Sequence, residues 1–80
     1  MDSMGRDLWS LTEGEAGVLA SFGADLADSW LRRLREVGFA PGERVTCVTA
    51  PRFGAPRVYR VGNTFFSVED QIARQLWLET

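Results

Sequence analysis

The sequence contains no histidine and only one cysteine, Cys47. Without histidine, the chain lacks the usual general base of enzymes and the most common transition-metal ligand in proteins. A lone cysteine cannot form a disulfide bond within the chain, and this cysteine content is typical of a reducing cytosol. No glycine-rich phosphate-binding loop is present either, so nucleotide hydrolysis is not expected of this chain. We therefore predict no catalytic residues, no enzyme activity and no required cofactor.

Long apolar runs and an excess of positive charge are also missing. No stretch approaches the roughly 20 apolar residues that a membrane span requires, and the N-terminus lacks the basic and then apolar pattern of an export signal. The net charge is −2, and the acidic and basic residues are interspersed along the chain. This distribution provides no broad positive field to attract nucleic acid. We expect a cytoplasmic protein that is not inserted in a membrane and does not bind nucleic acid.

The length and composition indicate one small folded domain. The chain has 80 residues, of which 45% are hydrophobic and 25% are charged. A domain of this size buries only about 60% of the surface that its unfolded chain exposes, so its core must use nearly every large apolar residue. We predict a flexible N-terminal segment over residues 1–7 and a single domain over residues 8–80, with Leu8 and Leu11 packed onto the core.

Helical periodicity is clearest over residues 25–37. The apolar positions at helical spacing are Leu26, Ala27, Trp30, Leu31, Leu34 and Val37. Gly38 can adopt the left-handed conformation that ends a helix, and Phe39 would then fold back as the apolar residue of a Schellman motif. Pro41 and Gly42 suit the two central positions of a type II turn. The pattern predicts an amphipathic helix that leads directly into a strand.

The rest of the chain is typical of short strands between turns. We predict strands over residues 17–23, 44–50 and 57–61, from residue 64, and over residues 77–79 at a sheet edge. In the first strand, the alternation places Val18, Ala20 and Phe22 on one face. Gly62 and Asn63 form a hairpin turn, and Ser67 begins a capping box ahead of a short helix. These elements predict a mainly β fold, a small and partly open barrel.

Four sequence blocks resemble the FeoA proteins. Residues 33–42, Arg-Leu-Arg-Glu-Val-Gly-Phe-Ala-Pro-Gly, are similar to the Arg-Leu-x-x-Leu/Met-Gly-x-x-Pro-Gly block of that family. The other blocks are Leu8, Leu11, Gly14 and Gly17-Val18 upstream, Val45, Val48, Ala50-Pro51 and Pro56 after the turn, and Ala73, Leu76 and Leu78 near the end. The blocks occur in the expected order over residues 8–78, almost the whole chain.

The resemblance implies a fold and a function. The fold is an SH3-like barrel of about five strands with one amphipathic helix and a short C-terminal helical turn. The function is that of a cytosolic accessory protein of bacterial ferrous iron uptake that binds FeoB, a large membrane GTPase permease. The same fold occurs as the C-terminal domain of iron-dependent repressors. An SH3-like adaptor in metal-dependent transcription control or in peptide binding is therefore the alternative, and a homodimer stays open.

Three departures from the family pattern limit this transfer. Val68-Glu69 stands where the family usually has Leu-Arg, so any partner contact made by that arginine is not carried over. The usual Gly-Asp-Pro loop reads Gly54-Ala55-Pro56 with one additional residue after Pro51, and Arg57 occupies a position that is usually apolar. These changes predict that the loop presents a different surface from that of other FeoA proteins.

Two groups of residues are candidates for partner binding. Arg32, Arg33 and Arg35 could form a docking patch for an acidic surface, or could be an ordinary solvated helix face. Arg52, Phe53 and Gly54 form the tip of the loop at residues 51–56, where a cation and an aromatic side chain together are typical of interface hot spots. Alternatively, Phe53 folds under and covers one end of the barrel.

The candidates for metal binding and dimerisation are weaker. Cys47 lies in a valine-rich strand and is expected in the core. The carboxylates are interpreted as helix-terminal and surface charges: Asp25, Asp28, Glu36, Glu43, Glu69 and Asp70. Only an adventitious divalent ion at a contact between chains is expected of them. Trp30 is predicted in the core, whereas Trp77 is predicted half exposed on the terminal strand, where it could support edge pairing or dimerisation.

Overall fold

The computed structural model describes residues 6–79, which form one five-stranded antiparallel sheet with two short helices. The elements in chain order are a 3₁₀ turn at Leu8–Ser10, β1 at Ala16–Phe22, α1 at Asp28–Val37, β2 at Arg44–Thr49, β3 at Arg57–Val61, β4 at Thr64–Val68, α2 at Asp70–Ala73 and β5 at Leu76–Leu78. The strand order is β4-β3-β2-β1-β5. The predicted mainly β fold with about five strands is confirmed. The sheet is not closed, because β4 and β5 form its two ends.

The predicted N-terminal segment falls partly outside this description. Its residues 1–5 lie outside the described residues. Arg6 and Asp7 lie beside β5, where the Leu78 amide donates a hydrogen bond of 2.7 Å to the Arg6 carbonyl oxygen and Asp7 forms a bridge with Trp77. The chain thus runs along the outer side of β5 before it enters the 3₁₀ turn.

A single apolar core holds the elements together. Its buried members are Leu8, Leu11, Leu19, Leu26, Leu34, Phe39, Val45, Cys47, Tyr59, Val61, Val68, Ile72, Ala73, Leu76 and Leu78. Leu8 and Leu11 are core residues as predicted, whereas Trp30 is only half-buried at the periphery. Nearly every large aliphatic side chain is used, as the small size of the domain requires.

The end of α1 and the turn after it agree with the sequence. Gly38 has a φ of 123°, its amide donates to the carbonyl oxygens of Leu34 and Arg35, and the Phe39 amide donates to Leu34 at 2.9 Å. This is the Schellman pattern, with Phe39 fully buried. Gly42 has a φ of 93°, and the amide of Glu43 donates to Ala40 at 3.0 Å, as in a type II turn.

The start of α1 is later than predicted. The helix begins at Asp28 instead of residue 25, because residues 23–26 form a turn in which the Leu26 amide donates to Gly23. Gly23 itself is fixed by a 2.6 Å hydrogen bond from its amide to the carbonyl oxygen of Gln75. This contact with a distant part of the chain determines where the helix can begin.

The prediction that Val18, Ala20 and Phe22 share one face of β1 is wrong. Leu19 is the buried residue of this strand, whereas Val18 and Phe22 are half-buried and Ala20 is exposed. The first half of β1 pairs with β2 and the second half with β5, and the register shifts between Leu19 and Ser21. Such a bulge interrupts the alternation of side chains, so a strict period of two does not apply.

The β3–β4 hairpin is confirmed, but the capping box after it is wrong. Val61 pairs with Thr64, and Gly62 has a φ of 58°, which matches a type II′ turn. Ser67 lies within β4 opposite Val58, because the strand continues through Val68. The helix α2 starts only at Asp70 and receives no side-chain cap from the residue before it.

Candidate partner-binding surfaces

The three arginines of α1 are all exposed, but they do not form one patch. The Arg33 guanidinium lies 5.7 Å from the ring centroid of Phe66 on β4, and that of Arg35 lies 5.7 Å from the ring centroid of Phe22 on β1. At about 100° per residue, Arg32 points outward between them. The helix face therefore directs its positive charge toward two sides of the molecule.

Acidic side chains share this helix face. Asp28 and Glu36 line the same surface hollow as Arg32 and Arg35. Charges of opposite sign at this spacing partly neutralise one another on an exposed helix. The interpretation as a solvated helix face therefore fits Arg32 and Arg35, which line this hollow with the two carboxylates, whereas Arg33 lies on the side of the helix that faces β4.

The loop tip at residues 52–54 is fully exposed to solvent. Phe53 has 99% of its surface exposed, so the alternative in which it covers a barrel end is wrong. Its φ is 65° and that of Gly54 is 73°. A left-handed conformation costs a non-glycine residue about 1–2 kcal/mol, so the tip is held in this shape by the rest of the loop. The loop presents an aromatic side chain, with Arg52 beside it.

The loop at residues 51–56 and the end of α1 lie at opposite ends of β3. The loop enters β3 at Arg57, whereas the end of α1 lies at Val61, where a Cβ on Gly38 would be 3.6 Å from Cγ1 of Val61. Four residues of strand at roughly 3.3 Å each separate these points by about 13 Å. The structure therefore presents two separate candidate surfaces, not one site.

Arg57 has a role that the sequence did not reveal. Its guanidinium lies 3.8 Å from the ring centroid of Trp9, and its Nη1 donates hydrogen bonds to the carbonyl oxygens of Trp9 and Leu11. Arg74 lies 6.0 Å from the same ring. The side chain of Arg57 thus holds residues 9–11, in and after the 3₁₀ turn, against β3 and does not extend the loop surface. The available signal was the arginine at a position where the family is usually apolar.

Trp77 is half-buried on β5, as predicted, but its edge of the sheet is partly occupied. The bridge between Asp7 and Trp77 and the hydrogen bond from Leu78 to Arg6 fill part of the outer side of this strand. Strand pairing with another molecule at this edge would have to displace the chain's own N-terminal segment.

Cys47 is a buried core residue, as the sequence indicated. Burial raises the pKa of its thiol, so the reactive thiolate is disfavoured. Residues 6–79 contain no group of three or more cysteine or carboxylate side chains that could hold a metal ion. Within the same residues, no helix is long and apolar enough to cross a membrane.

The buried Tyr59 predicts a loss of stability at alkaline pH. Its hydroxyl donates to the Leu8 carbonyl oxygen at 3.3 Å, and desolvation raises the pKa of Tyr59 to about 12. An unfolded tyrosine ionises near pH 10, so the unfolded state releases its proton first as the pH rises. We expect the free energy of unfolding to fall by about 2 kcal/mol between pH 10 and 12. Urea denaturation of the chain and of Tyr59→Phe at pH 10 and at pH 12 isolates this contribution. An equal fall of the free energy of unfolding in both proteins would contradict it.

The chain is similar to a known protein family and to several solved structures. The family model described as FeoA domain matches residues 7–80. No curated protein sequence matches the chain. A similar solved structure is FeoA of Stenotrophomonas maltophilia in complex with zinc, described as a prokaryotic SH3 domain protein and suggested as a bacterial ferrous iron transport activating factor. It is 32% identical with a TM-score of 0.80, and the alignment covers 91% of this chain and 88% of that protein.

Two further structures are similar at lower identity. Iron(II) transport protein A of Clostridium thermocellum is 23% identical with a TM-score of 0.81, over 91% of this chain and 44% of that one. A manganese-dependent transcriptional repressor is 18% identical with a TM-score of 0.81 over 98% of this chain. This chain spans only 43% of the repressor's length. These likenesses concern the fold, and together with the S. maltophilia structure they confirm the predicted SH3-like architecture.

Proposed function

The chain belongs to the FeoA family, and from this premise we propose that it is a cytoplasmic accessory protein that regulates bacterial ferrous iron uptake by binding the cytosolic region of the FeoB GTPase permease. It acts through this contact and carries out no chemistry of its own. Ferrous iron is the cargo of the permease in this proposal and not a ligand of the chain. The described residues offer surfaces for docking and no cluster of ligands for a metal cofactor.

The exposed aromatic side chain of Phe53 is the observation that carries the proposal. Apolar side chains of this size normally pack against the core or a partner, and interface hot spots are enriched in aromatic residues and arginine. Here Phe53 is 99% exposed at the tip of a loop between Pro51 and Pro56, with Arg52 beside it. Because the loop backbone is already restrained by the two prolines, docking would cost little conformational entropy. We therefore propose that residues 52–54 insert into a pocket of FeoB.

Titration of the cytosolic region of FeoB with the full chain tests this proposal. Phe53→Gly removes the aromatic ring and suits the φ of 65°, so it should leave the fold intact. We expect it to raise the Kd about 10- to 30-fold, since a hot-spot side chain contributes about 1.4–2 kcal/mol. Phe53→Tyr keeps the ring and serves as the matched control, with Kd within about threefold of the unsubstituted chain. Unchanged affinity of Phe53→Gly would exclude the loop, and no binding by the unsubstituted chain would exclude FeoB as the partner.

The arginines of α1 have a secondary role in the same proposal. Exposed charges at the rim of an interface change the association rate more than the affinity. We propose that Arg32, Arg33 and Arg35 steer the chain toward an acidic surface, and that this contribution decreases with salt.

The alternative is an adaptor in metal-dependent transcription control. The fold is shared with a manganese-dependent repressor at a TM-score of 0.81, which supports this alternative at the level of architecture alone. A separate chain would have to provide the DNA-binding element. Binding to FeoB that depends on Phe53 would favour the transport role over this alternative.

A further inference from the structure

The two ends of the sheet differ in what covers them. The outer side of β5 is covered by Arg6 and Asp7 through the hydrogen bond from Leu78 and the bridge to Trp77. The strand β4 pairs with β3 only, and no other segment within residues 6–79 pairs with it. An open edge strand is a ready template for pairing with another chain.

The unpaired backbone groups of β4 can be assigned from the hairpin. In a hairpin with a two-residue turn, the residue pair next to the turn is hydrogen-bonded, and here that pair is Val61 and Thr64. Hydrogen-bonded and non-hydrogen-bonded pairs alternate from there along an antiparallel ladder. Tyr59 with Phe66 is therefore also hydrogen-bonded, whereas Phe65 and Ser67 direct their amide and carbonyl groups away from β3. Neither Phe65 nor Ser67 has a hydrogen bond to any other described residue outside this ladder. Four backbone groups are thus available to an added strand.

The side chains beside this edge are aromatic and positively charged. Phe65 is 59% exposed on one face of β4. On the other face, Phe66, Val37, Arg32 and Arg33 line a surface hollow that also includes Glu36. The Arg33 guanidinium lies over the Phe66 ring. A strand that pairs with β4 would therefore have this guanidinium on the side that faces α1.

The charge of this region indicates the kind of occupant. The strand β4 carries no charged side chain. Arg32, Arg33 and Glu36 lie on one of its faces, and Arg60 pairs across from Phe65, so positive charge exceeds negative charge around this strand. This positive group contrasts with the net charge of −2 of the whole chain. A second copy pairing through β4 would bring together two hollows that each contain two arginines and one carboxylate, Glu36, so positive charges would face each other in excess. An acidic segment would instead place its carboxylates within reach of the arginines.

We propose that the open edge of β4 binds an extended acidic segment of a partner protein as an additional antiparallel strand. Alternate carboxylates of the segment face α1 and pair with Arg33 and Arg32, and the residues between them contact Phe65. This mode is β-augmentation, in which main-chain hydrogen bonds contribute affinity and alternate side chains contribute specificity. The inference goes beyond the proposed function, because it requires neither the loop at residues 51–56 nor iron transport.

A synthetic peptide tests the proposal on the full chain. The probe is a blocked nine-residue peptide in which glutamate alternates with valine. We expect amide hydrogen exchange at Phe65 and Ser67 to slow at least fivefold when the peptide is in excess, because strand addition hydrogen-bonds these two amides. The same peptide methylated on alternate backbone nitrogens, so that its paired edge has no donors, should not slow them. Equal slowing by both peptides, or none by either, would overturn the proposal.

Two pairs of variants separate the charge from the backbone contribution. Arg33→Gln should weaken binding of the peptide about fivefold or more, whereas Arg35→Gln, on the opposite flank of the same helix, should leave it within twofold. A peptide with glutamine in place of glutamate loses the contacts with both Arg32 and Arg33, so it should bind the unsubstituted chain at least as weakly as the acidic peptide binds Arg33→Gln. Ser67→Pro removes an outward amide and should reduce binding, with Ser67→Ala as its control. Equal effects of the two arginine changes would contradict the assignment of the acidic face.

Self-association is the remaining outcome. Sedimentation of the chain alone over a range of concentrations, with Ser67→Pro as the comparison, shows whether β4 pairs with a second copy. A dimer that Ser67→Pro disrupts and that the acidic peptide does not displace would overturn the choice of an acidic partner. Loss of FeoB binding in Phe53→Gly with normal peptide binding would show that the loop and the β4 edge act independently.

Discussion

Replacing Phe39 with alanine is expected to lower the free energy of unfolding by about 3–5 kcal/mol. The Phe39 side chain is fully buried, and its ring meets that of Phe66 edge to face at a centroid distance of 6.2 Å. Removal of the ring leaves a cavity between the end of α1 and β4. The loss therefore combines the transfer free energy of the ring, the cavity and the lost aromatic pair.

This loss is large for a domain of this size. At roughly 0.05–0.15 kcal/mol per residue, a domain of 80 residues has a stability of about 4–12 kcal/mol. Urea denaturation followed by tryptophan fluorescence should therefore show a much lower unfolding midpoint for Phe39→Ala, which reaches zero denaturant if the unsubstituted chain lies at the low end of this range. Phe53→Ala is the matched control, since the same truncation at a solvent-exposed ring should change stability by about 0.5 kcal/mol or less. A loss below about 1 kcal/mol at Phe39 would show that α1 is not anchored through this residue.

The features predicted correctly are those that short sequence motifs determine. Gly38 and Phe39 specify the end of the helix, and Pro41-Gly42 specifies the turn, because each depends on the backbone conformation of two or three neighbouring residues. The same holds for the Gly62-Asn63 hairpin. The helix end and the turn also belong to the sequence block that resembles the FeoA family. The fold could therefore be predicted from the same residues.

The errors occur where distant contacts decide the local structure. The start of α1 follows a turn that is tied to Gln75 by the Gly23 amide, and the alternation along β1 is broken by a bulge where the strand changes its pairing partner. Ser67 satisfied the sequence pattern of a capping box, but its pairing with β3 keeps it extended. Tertiary contacts override local preference in each case, and no pattern within a short window contains them.

The candidate surfaces show the same division. Exposure of Arg52 and Phe53 could be proposed from the two prolines around the loop, because a short restrained loop has little room to fold inward. The separation of this loop from the end of α1 could not be predicted, since it depends on the registers of β2, β3 and β4. The open edge of β4 follows from the strand order, which the sequence does not contain in any single segment.

Arg57→Leu is expected to destabilise the chain by about 2–4 kcal/mol, although leucine is closer to the apolar residue usual in the family. The guanidinium is a donor to the carbonyl oxygens of Trp9 and Leu11 and lies on the Trp9 ring. Hydrogen bonds from a charged donor contribute about 1.5–3 kcal/mol, and the ring contact adds about 0.5–2 kcal/mol. Leucine supplies neither contribution, and it leaves the carbonyl groups of Trp9 and Leu11 without their donor.

The location of the effect distinguishes this role from a general loss of packing. Amide hydrogen exchange should accelerate first at Ser10 and Leu11, because the 3₁₀ turn loses its attachment to β3 while the β2–β3 ladder stays paired. Arg57→Lys keeps a cation near Trp9 but cannot reproduce the planar guanidinium, so its stability should lie between those of Arg57→Leu and the unsubstituted chain. Arg60→Leu, an exposed arginine on the same strand, should change stability by about 0.5 kcal/mol or less. If Arg57→Leu were equally mild, burial of Leu8 and Leu11 alone would hold the segment, and the arginine at this position would have no structural role.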